Sequence, residues 1–338
     1  MAAIRLGYDS YSVRALKWNA LQHLDFAARH QLDAIQFSGL ESYESLEPAD
    51  LEKVKRRAGE LGLRIDAGIG CICELSKSWN PSSGSARLVL EEGLNVAHAV
   101  GATVMRCFMG TQKDRYGDKP LDQLMERTVQ NFRSVRSKAL DLGVTIAIEN
   151  HKDMQAEQMK QLIEESGTDF TGANLDVGNP LYLMEHPLTT IETLGPYTVT
   201  AHFRDTAVYE VPRGAAAQWT ALGDGAVDMK ELIAKFDQLC PRSSLHLEII
   251  TGRPPEILPY LEPDFWKTFQ NMPARDFARF VALAKKGQPF TGHMVIEDYE
   301  GQPPAPEFKA ALEYQQLHDL ERSFEYAKQV LHIGLHSA

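Results

Sequence analysis

The 338-residue chain has no apolar run that reaches the roughly 20 residues needed to span a bilayer, so no membrane-spanning helix is expected. Basic residues are in deficit, 35 Lys+Arg against 46 Asp+Glu, and the net charge of −11 would repel a phosphate backbone or an anionic membrane surface. Neither nucleic acid nor membrane is expected as a partner. Cysteine is scarce. Cys71, Cys73, Cys107 and Cys240 lie on apolar segments without the paired spacing of a structural zinc site, and they read as reduced, buried thiols. The first strand-like segment runs into Tyr8-Asp9-Ser10-Tyr11 with no G-x-G-x-x-G, which removes a dinucleotide-binding sheet. Met1 to Gly7 carries no charged-then-apolar leader, so a cytoplasmic location is expected.

What is present is an alternation of short apolar runs and longer helical stretches. Strands are predicted at Ile4–Tyr8, Ala34–Phe37, Leu63–Ile69, Ala102–Phe108, Val144–Asn150, Gly172–Val177, Val199–Phe203 and Leu245–Ile250. Helices are predicted near Ala20–His30, Pro48–Leu61, Ser83–Val100, Leu121–Leu142, Gln155–Ser166, Asp228–Leu239 and Pro306–His332. Gly62, Gly101 and Gly143 each stand between a helix end and the next strand, where a left-handed cap is wanted. Eight βα units with right-handed crossovers favour an α/β fold of the (β/α)8 TIM barrel kind, one domain over 1–338. Two segments exceed a minimal barrel: 206–225 after strand 7 and 251–305 after strand 8, read as loop insertions that serve as a lid or an oligomer contact. The aromatic residues of the longer one favour a homodimer or homotetramer, with a partner subunit as an alternative.

Polar residues interrupt the late strands at their C-terminal ends: Glu149 in TIAIENH, Asp176 in ANLDVGN, His202 in VTAHFRD and Glu248 in LHLEII. The first two separations are about one βα unit each and the third is one unit plus the inserted loop, so four consecutive strands aim one side chain each at a common centre. Three carboxylates and an imidazole suit one hard or borderline divalent ion, manganese first, with magnesium, cobalt, iron or zinc as alternatives. A bound cation would also offset the repulsion among three converging carboxylates. Around these four, His151, Arg204, Asn179, Arg106 and His246 are candidate substrate contacts. Tyr8, Gln36 and Trp79 are candidates for a polyol-binding wall.

The blocks IENH (148–151), LDVGN (175–179), HFRD (202–205), LGDGAVD (222–228) and LHLE (245–248) resemble those of the xylose isomerase-like TIM-barrel superfamily, the sugar phosphate isomerase/epimerase type. The resemblance implies the same metal ligands: Glu149, Asp176, His202 and Glu248. It departs at Asn179, where the ketose 3-epimerases of that superfamily carry a histidine. The expected activity is a metal-dependent isomerase or epimerase in carbohydrate metabolism, with Glu149 and Glu248 moving a proton beside a carbonyl through an enediolate. A lyase or dehydratase on a keto-sugar, keto-glycoside or inosose is the alternative. An endonuclease IV-like repair enzyme fits poorly, since only one histidine stands among the ligands and the charge is negative. A non-catalytic accessory subunit is the remaining alternative, against which the intact ligand set argues.

Overall fold

The computed structural model describes residues 4–240, 243–292, 294–298, 302 and 304–335. In chain order the strands are β1 (Leu6–Asp9), β2 (Ala34–Gln36), β3 (Arg64–Cys71), β4 (Val104–Phe108), β5 (Thr145–Glu149), β6 (Thr171–Asp176), β7 (Thr198–Phe203), β8 (Asp205–Val211), β9 (Gly214–Thr220), β10 (Ser244–Leu247) and β11 (Glu256–Leu258). The helices are α1 (Ala20–Arg29), α2 (Pro48–Leu61), α3 (Ala86–Ala99), α4 (Gln112–Arg115), α5 (Leu121–Ser134), α6 (Arg136–Leu142), α7 (Ala156–Ser166), α8 (Pro187–Leu194), α9 (Met229–Leu239), α10 (Ala274–Ala284) and α11 (Lys309–Gln329). Eight strands close into a barrel in the order β1-β10-β7-β6-β5-β4-β3-β2, each paired in parallel with its neighbours. This is the (β/α)8 barrel expected from the sequence.

Local chemistry explains where helices start and stop. Asn19 and Gln22 form a reciprocal capping box at the head of α1, and Ser85 and Asp228 cap α3 and α9 through their side chains. Gly62, Gly101 and Gly143 adopt φ values of 68°, 77° and 64°, the left-handed turn that sends each chain back toward a strand. The helices bury one stripe each. On α3, Leu90 and Leu94 are wholly buried, and each contributes roughly 1.5–3 kcal/mol.

The structure amends the expected elements in three places. The long helix 121–142 breaks at Val135 (φ −116°, ψ 7°) into α5 and α6. A helix the sequence pattern hides, α8, occupies the β6–β7 crossover, entered through Pro187 and capped by the His186 ring. The 206–225 segment is not a loop: β8 and β9 form an antiparallel hairpin that β11 extends, giving a three-stranded sheet. Gly214 (φ 151°) is required there, because a Cβ would stand 2.2 Å from the Leu258 carbonyl oxygen. The segment 251–305 also carries α10; its residues 293, 299–301 and 303 lie outside those described. All four cysteines are buried and unpaired.

Candidate metal centre

Side chains of the barrel strands alternate between the interior and the helix layer, so residues two apart share the inward face. The inward rows end in Glu149 on β5, Asp176 on β6, His202 on β7 and Glu248 one residue beyond β10. One ligand atom from each lies within 4.8 Å of the others. The cluster is dry: Glu149, Asp176 and His202 are 0% exposed and Glu248 is 5% exposed.

The imidazole is the key to how this group is used. His202 Nδ1 lies 3.5 Å from Glu149, 3.5 Å from Glu248 and 3.8 Å from Asp176, yet it is buried without a hydrogen-bond partner. On the opposite edge, Nε2 meets the Gln36 amide oxygen and lies 3.6 Å from Asp9 Oδ2. Gln36 presents its oxygen because its Nε2 donates to Asn174 Oδ1 and Thr200 Oγ1, both at 3.3 Å. That pattern puts a proton on Nε2, and the three carboxylates around Nδ1 favour a second proton or a cation at that edge.

Each carboxylate is also positioned. Glu149 accepts from Arg106 Nε at 2.5 Å and from Asn179 Nδ2 at 3.2 Å. Asp176 accepts from the backbone amides of Gly178 (2.7 Å) and Asn179 (2.6 Å), and Arg204 pairs with both Asp176 and Glu248. Asn150 exchanges two 2.8 Å bonds with the Asp176 backbone, locking the ends of β5 and β6 together. Burial pushes the Glu149 and Glu248 carboxyls up, but the guanidiniums of Arg106 and Arg204 respectively, with His202, outweigh it; Glu149 falls well below the usual range and Glu248 to about 2. Asp176 is raised, chiefly by burial. Burial alone would lower His202, but Glu248 and Glu149 hold it well above its usual value.

These residues fit a divalent metal. Four buried carboxylates, Asp9, Glu149, Asp176 and Glu248, face two guanidiniums, Arg106 and Arg204, and the carboxylates hold a proton on His202 that a cation at Nδ1 would displace. A doubly charged cation closes that balance, and the oxygen-rich donor set with one nitrogen is what such ions take.

Residues 24–268 match the family described as Xylose isomerase-like TIM barrel. The chain belongs to that family. Two curated relatives align over parts of this barrel: the uncharacterized protein YihM of Escherichia coli K12, 24% identical over 152 residues (45% of each chain), and a 3-oxo-isoapionate decarboxylase of Pectobacterium atrosepticum, 22% identical over 184 residues (54% of this chain, 60% of the other). The alignments thus span about half the length of those relatives. Among solved structures, a D-psicose 3-epimerase in the presence of D-fructose shares the fold at a TM-score of 0.63, with 16% identity over 97% of this chain and 99% of the other.

Within this xylose isomerase-like barrel, Arg106, Asn179 and Arg204 lie directly on the cluster. His246 does not: its Nε2 meets Asp66 at 3.0 Å, one inward layer below. His151 sits on the rim, its ring 4.4 Å from that of Phe108 and its Nδ1 3.1 Å from the Gly110 carbonyl. Tyr8 is no part of a polyol wall, because it points to the helix layer, where its hydroxyl meets His23 Nδ1 at 2.8 Å. Trp79 packs against the core, and Gln36 lies beneath the imidazole instead of lining a wall. Asp9 and Asn150 escaped the sequence reading. Asp9 follows the same rule as the ligands, a carboxylate ending a barrel strand, and that signal was available. Among the described residues, no helix is long and apolar enough to cross a membrane.

Proposed function

We propose that this chain is a divalent-metal-dependent isomerase or epimerase of keto-sugars, with manganese the first candidate ion, that moves a proton beside a carbonyl through an enediolate. The observation that carries this reading is the buried cluster in which Glu149 and Glu248, from the ends of the fifth and eighth barrel strands, each come within 3.5 Å of His202 Nδ1. Glu149, Asp176, His202 and Glu248 would hold the ion. Bound there, it supplies Lewis acidity toward a carbonyl and its neighbouring hydroxyl.

The chain's own residues do the rest. One of Glu149 and Glu248 removes the proton on the carbon beside the carbonyl, and the other returns one from the opposite face. Return to the same carbon epimerises; return to the adjacent carbon isomerises. Both carboxyls are held low, which suits whichever one accepts the proton; its partner must enter the cycle protonated, and each turnover leaves the two protonation states exchanged. Arg106 and Arg204 fix their orientation, and burial keeps water from quenching the enediolate. The likeness to a decarboxylase supports a second reading, a lyase in which the same enediolate arises by loss of carbon dioxide and is then protonated by one of the two glutamates.

The test is manganese titration of metal-free protein, followed by deuterium wash-in from D2O over a panel of ketoses. Glu149→Gln and Glu248→Gln should each lower exchange by roughly 10²–10⁴-fold with the fold retained. Near-normal exchange in either variant would refute its assignment.

A further inference from the structure

Above the metal centre the chain gathers cations. Lys152, three residues past Glu149, is held at φ +64°, a left-handed conformation disfavoured for a residue with a side chain. Its ammonium lies 4.0 Å from the centre of the Tyr182 ring and 4.4 Å from that of Trp219, and bonds Glu256 Oε1 at 2.5 Å. The Trp219 ring also lies 4.6 Å from the Arg204 guanidinium, so one indole links Lys152 to the arginine that grips Asp176 and Glu248. Tyr182 is tied in as well, its hydroxyl accepting the Trp219 backbone amide at 3.1 Å. A third cation, Arg253, stands five residues past Glu248; after burial itself, the charges of Arg204 and Arg253 help lower the Lys152 pKa against Glu256, which raises it.

Two of these cations have donors to spare. Arg204, 1% exposed, keeps Nη1 buried without an acceptor, and so does Arg253 with its Nε; Arg253 Nη2 has only a long 3.4 Å contact to the Tyr11 hydroxyl. Buried guanidinium donors without acceptors are costly unless a ligand supplies them. The charges agree. The inner cluster is balanced once a divalent ion is bound, whereas outside it Lys152 pairs with Glu256 and Arg253 has no carboxylate partner among the described residues, which leaves one positive charge over.

We infer that the substrate carries a carboxylate that docks on Lys152, Arg253 and Arg204 Nη1, so that the enzyme acts on a keto-sugar acid instead of a neutral ketose. This rests on the function proposed above and names its substrate class. The one-charge surplus matches a carboxylate better than a phosphate, which carries nearly two charges at neutral pH. Glu256, whose side chain is 36% exposed, competes with the incoming carboxylate for Lys152. The overall charge of −11 disfavours acidic ligands, but three cations placed in a low-dielectric mouth outweigh a diffuse surface charge.

The test uses manganese-loaded full-length protein with D-fructuronate and D-tagaturonate against D-fructose, D-tagatose and D-fructose 6-phosphate, reading binding by calorimetry and exchange by deuterium wash-in. The ketohexuronates should bind at least about ten-fold more tightly than the matched neutral ketoses. Lys152→Met should cut the acid-to-neutral ratio of affinity, and of kcat/KM where exchange occurs, by about 10–100-fold while the manganese affinity holds. Glu256→Gln should shift the ratio the other way. Wild-type protein that binds no ketohexuronate, that shows no preference for acids, or that prefers the phosphate overturns the inference, as does a Lys152→Met variant with an unchanged ratio. Acid binding that follows the expected pattern without hydrogen exchange would sink the proposed reaction and leave this subsite standing. Exchange of neutral and acidic sugars alike, unmoved by Lys152→Met, would do the reverse.

Discussion

Gln36 should control metal affinity without touching the metal. Its amide oxygen accepts His202 Nε2–H and thereby reserves Nδ1 for the carboxylate side of the ring. In Gln36→Leu the Nε2 proton loses that acceptor in a fully buried layer, and the tautomer is no longer imposed. Groups that orient a ligating histidine are worth roughly 10–100-fold in affinity, or about 1.4–2.7 kcal/mol. The structure argues for the low end in the single variant, because Asp9 Oδ2, 3.6 Å from Nε2 and without a hydrogen-bond partner, is placed to take the proton after a small shift. About ten-fold is therefore expected for Gln36→Leu and about a hundred-fold for Gln36→Leu with Asp9→Asn.

The assay is calorimetric titration of metal-free protein with manganese in the presence of a competing chelator. Melting of the metal-free variants separates the structural cost, since Gln36 also bonds Asn174 and Thr200. A double variant that binds manganese as tightly as wild type would refute the tautomer argument whatever its melting temperature.

Two further predictions concern stability. Gly68→Ala would place a Cβ 2.1 Å from the backbone carbonyl oxygen of Phe37, which cannot yield without moving the end of β2; a loss of about 3 kcal/mol is expected as a lower denaturant midpoint at constant m-value. Glu185 is pushed up by burial to about 7 while accepting from Thr190 and Ala156, so the fold favours its protonated form. Its stabilising contribution is complete below about pH 4.3 and lost as pH rises through 7, about 3 kcal/mol in all. Metal-free Glu185→Gln should therefore gain stability relative to wild type between pH 5 and pH 8 in urea titrations, and equal slopes for the two proteins would count against the assignment.

The barrel was legible because its code is local. Each strand is a short apolar run, each return is marked by a helix pattern, and three of the returns by a glycine whose positive φ the structure bears out. Glu149, Asp176, His202 and Glu248 stood out together: one strand-end carboxylate is more often a cap or a salt-bridge partner, but four polar residues on consecutive strands, one to each βα unit, share one centre. The hairpin of β8 and β9 did not stand out: Ala215, Ala216 and Ala217 have little strand preference, and their pairing is fixed by contacts with β11 some forty residues away. In the β6–β7 crossover, Pro180, Pro187 and Pro196 break the helical period, so the eight residues of α8 escape a pattern search. Gln36 is a third kind of case. Its partner lies 166 positions away, across a barrel that must close before the two can meet.

That closure is also why the layer below the candidate metal site matters. Two positions before Asp176, His202 and Glu248 stand Asn174, Thr200 and His246, and these are joined from the opposite wall by Gln36 and Asp66. Asp66 accepts from Thr200 at 2.8 Å, His246 at 3.0 Å and Arg64 at 3.0 Å; burial pushes its carboxyl up, and these partners bring it below the usual value. A connected polar layer rigidifies a barrel interior, and this one is connected although Asn174 Nδ2 and His246 Nδ1 stay without partners. The connected layer tethers three of the four ligand-bearing strands, β6, β7 and β10, to β2 and β3, while Asn150 ties β5 to β6. The ligand atoms therefore cannot drift apart to relieve their mutual repulsion, and a fixed set of carboxylates that cannot separate is what makes a cation at their centre the favourable answer.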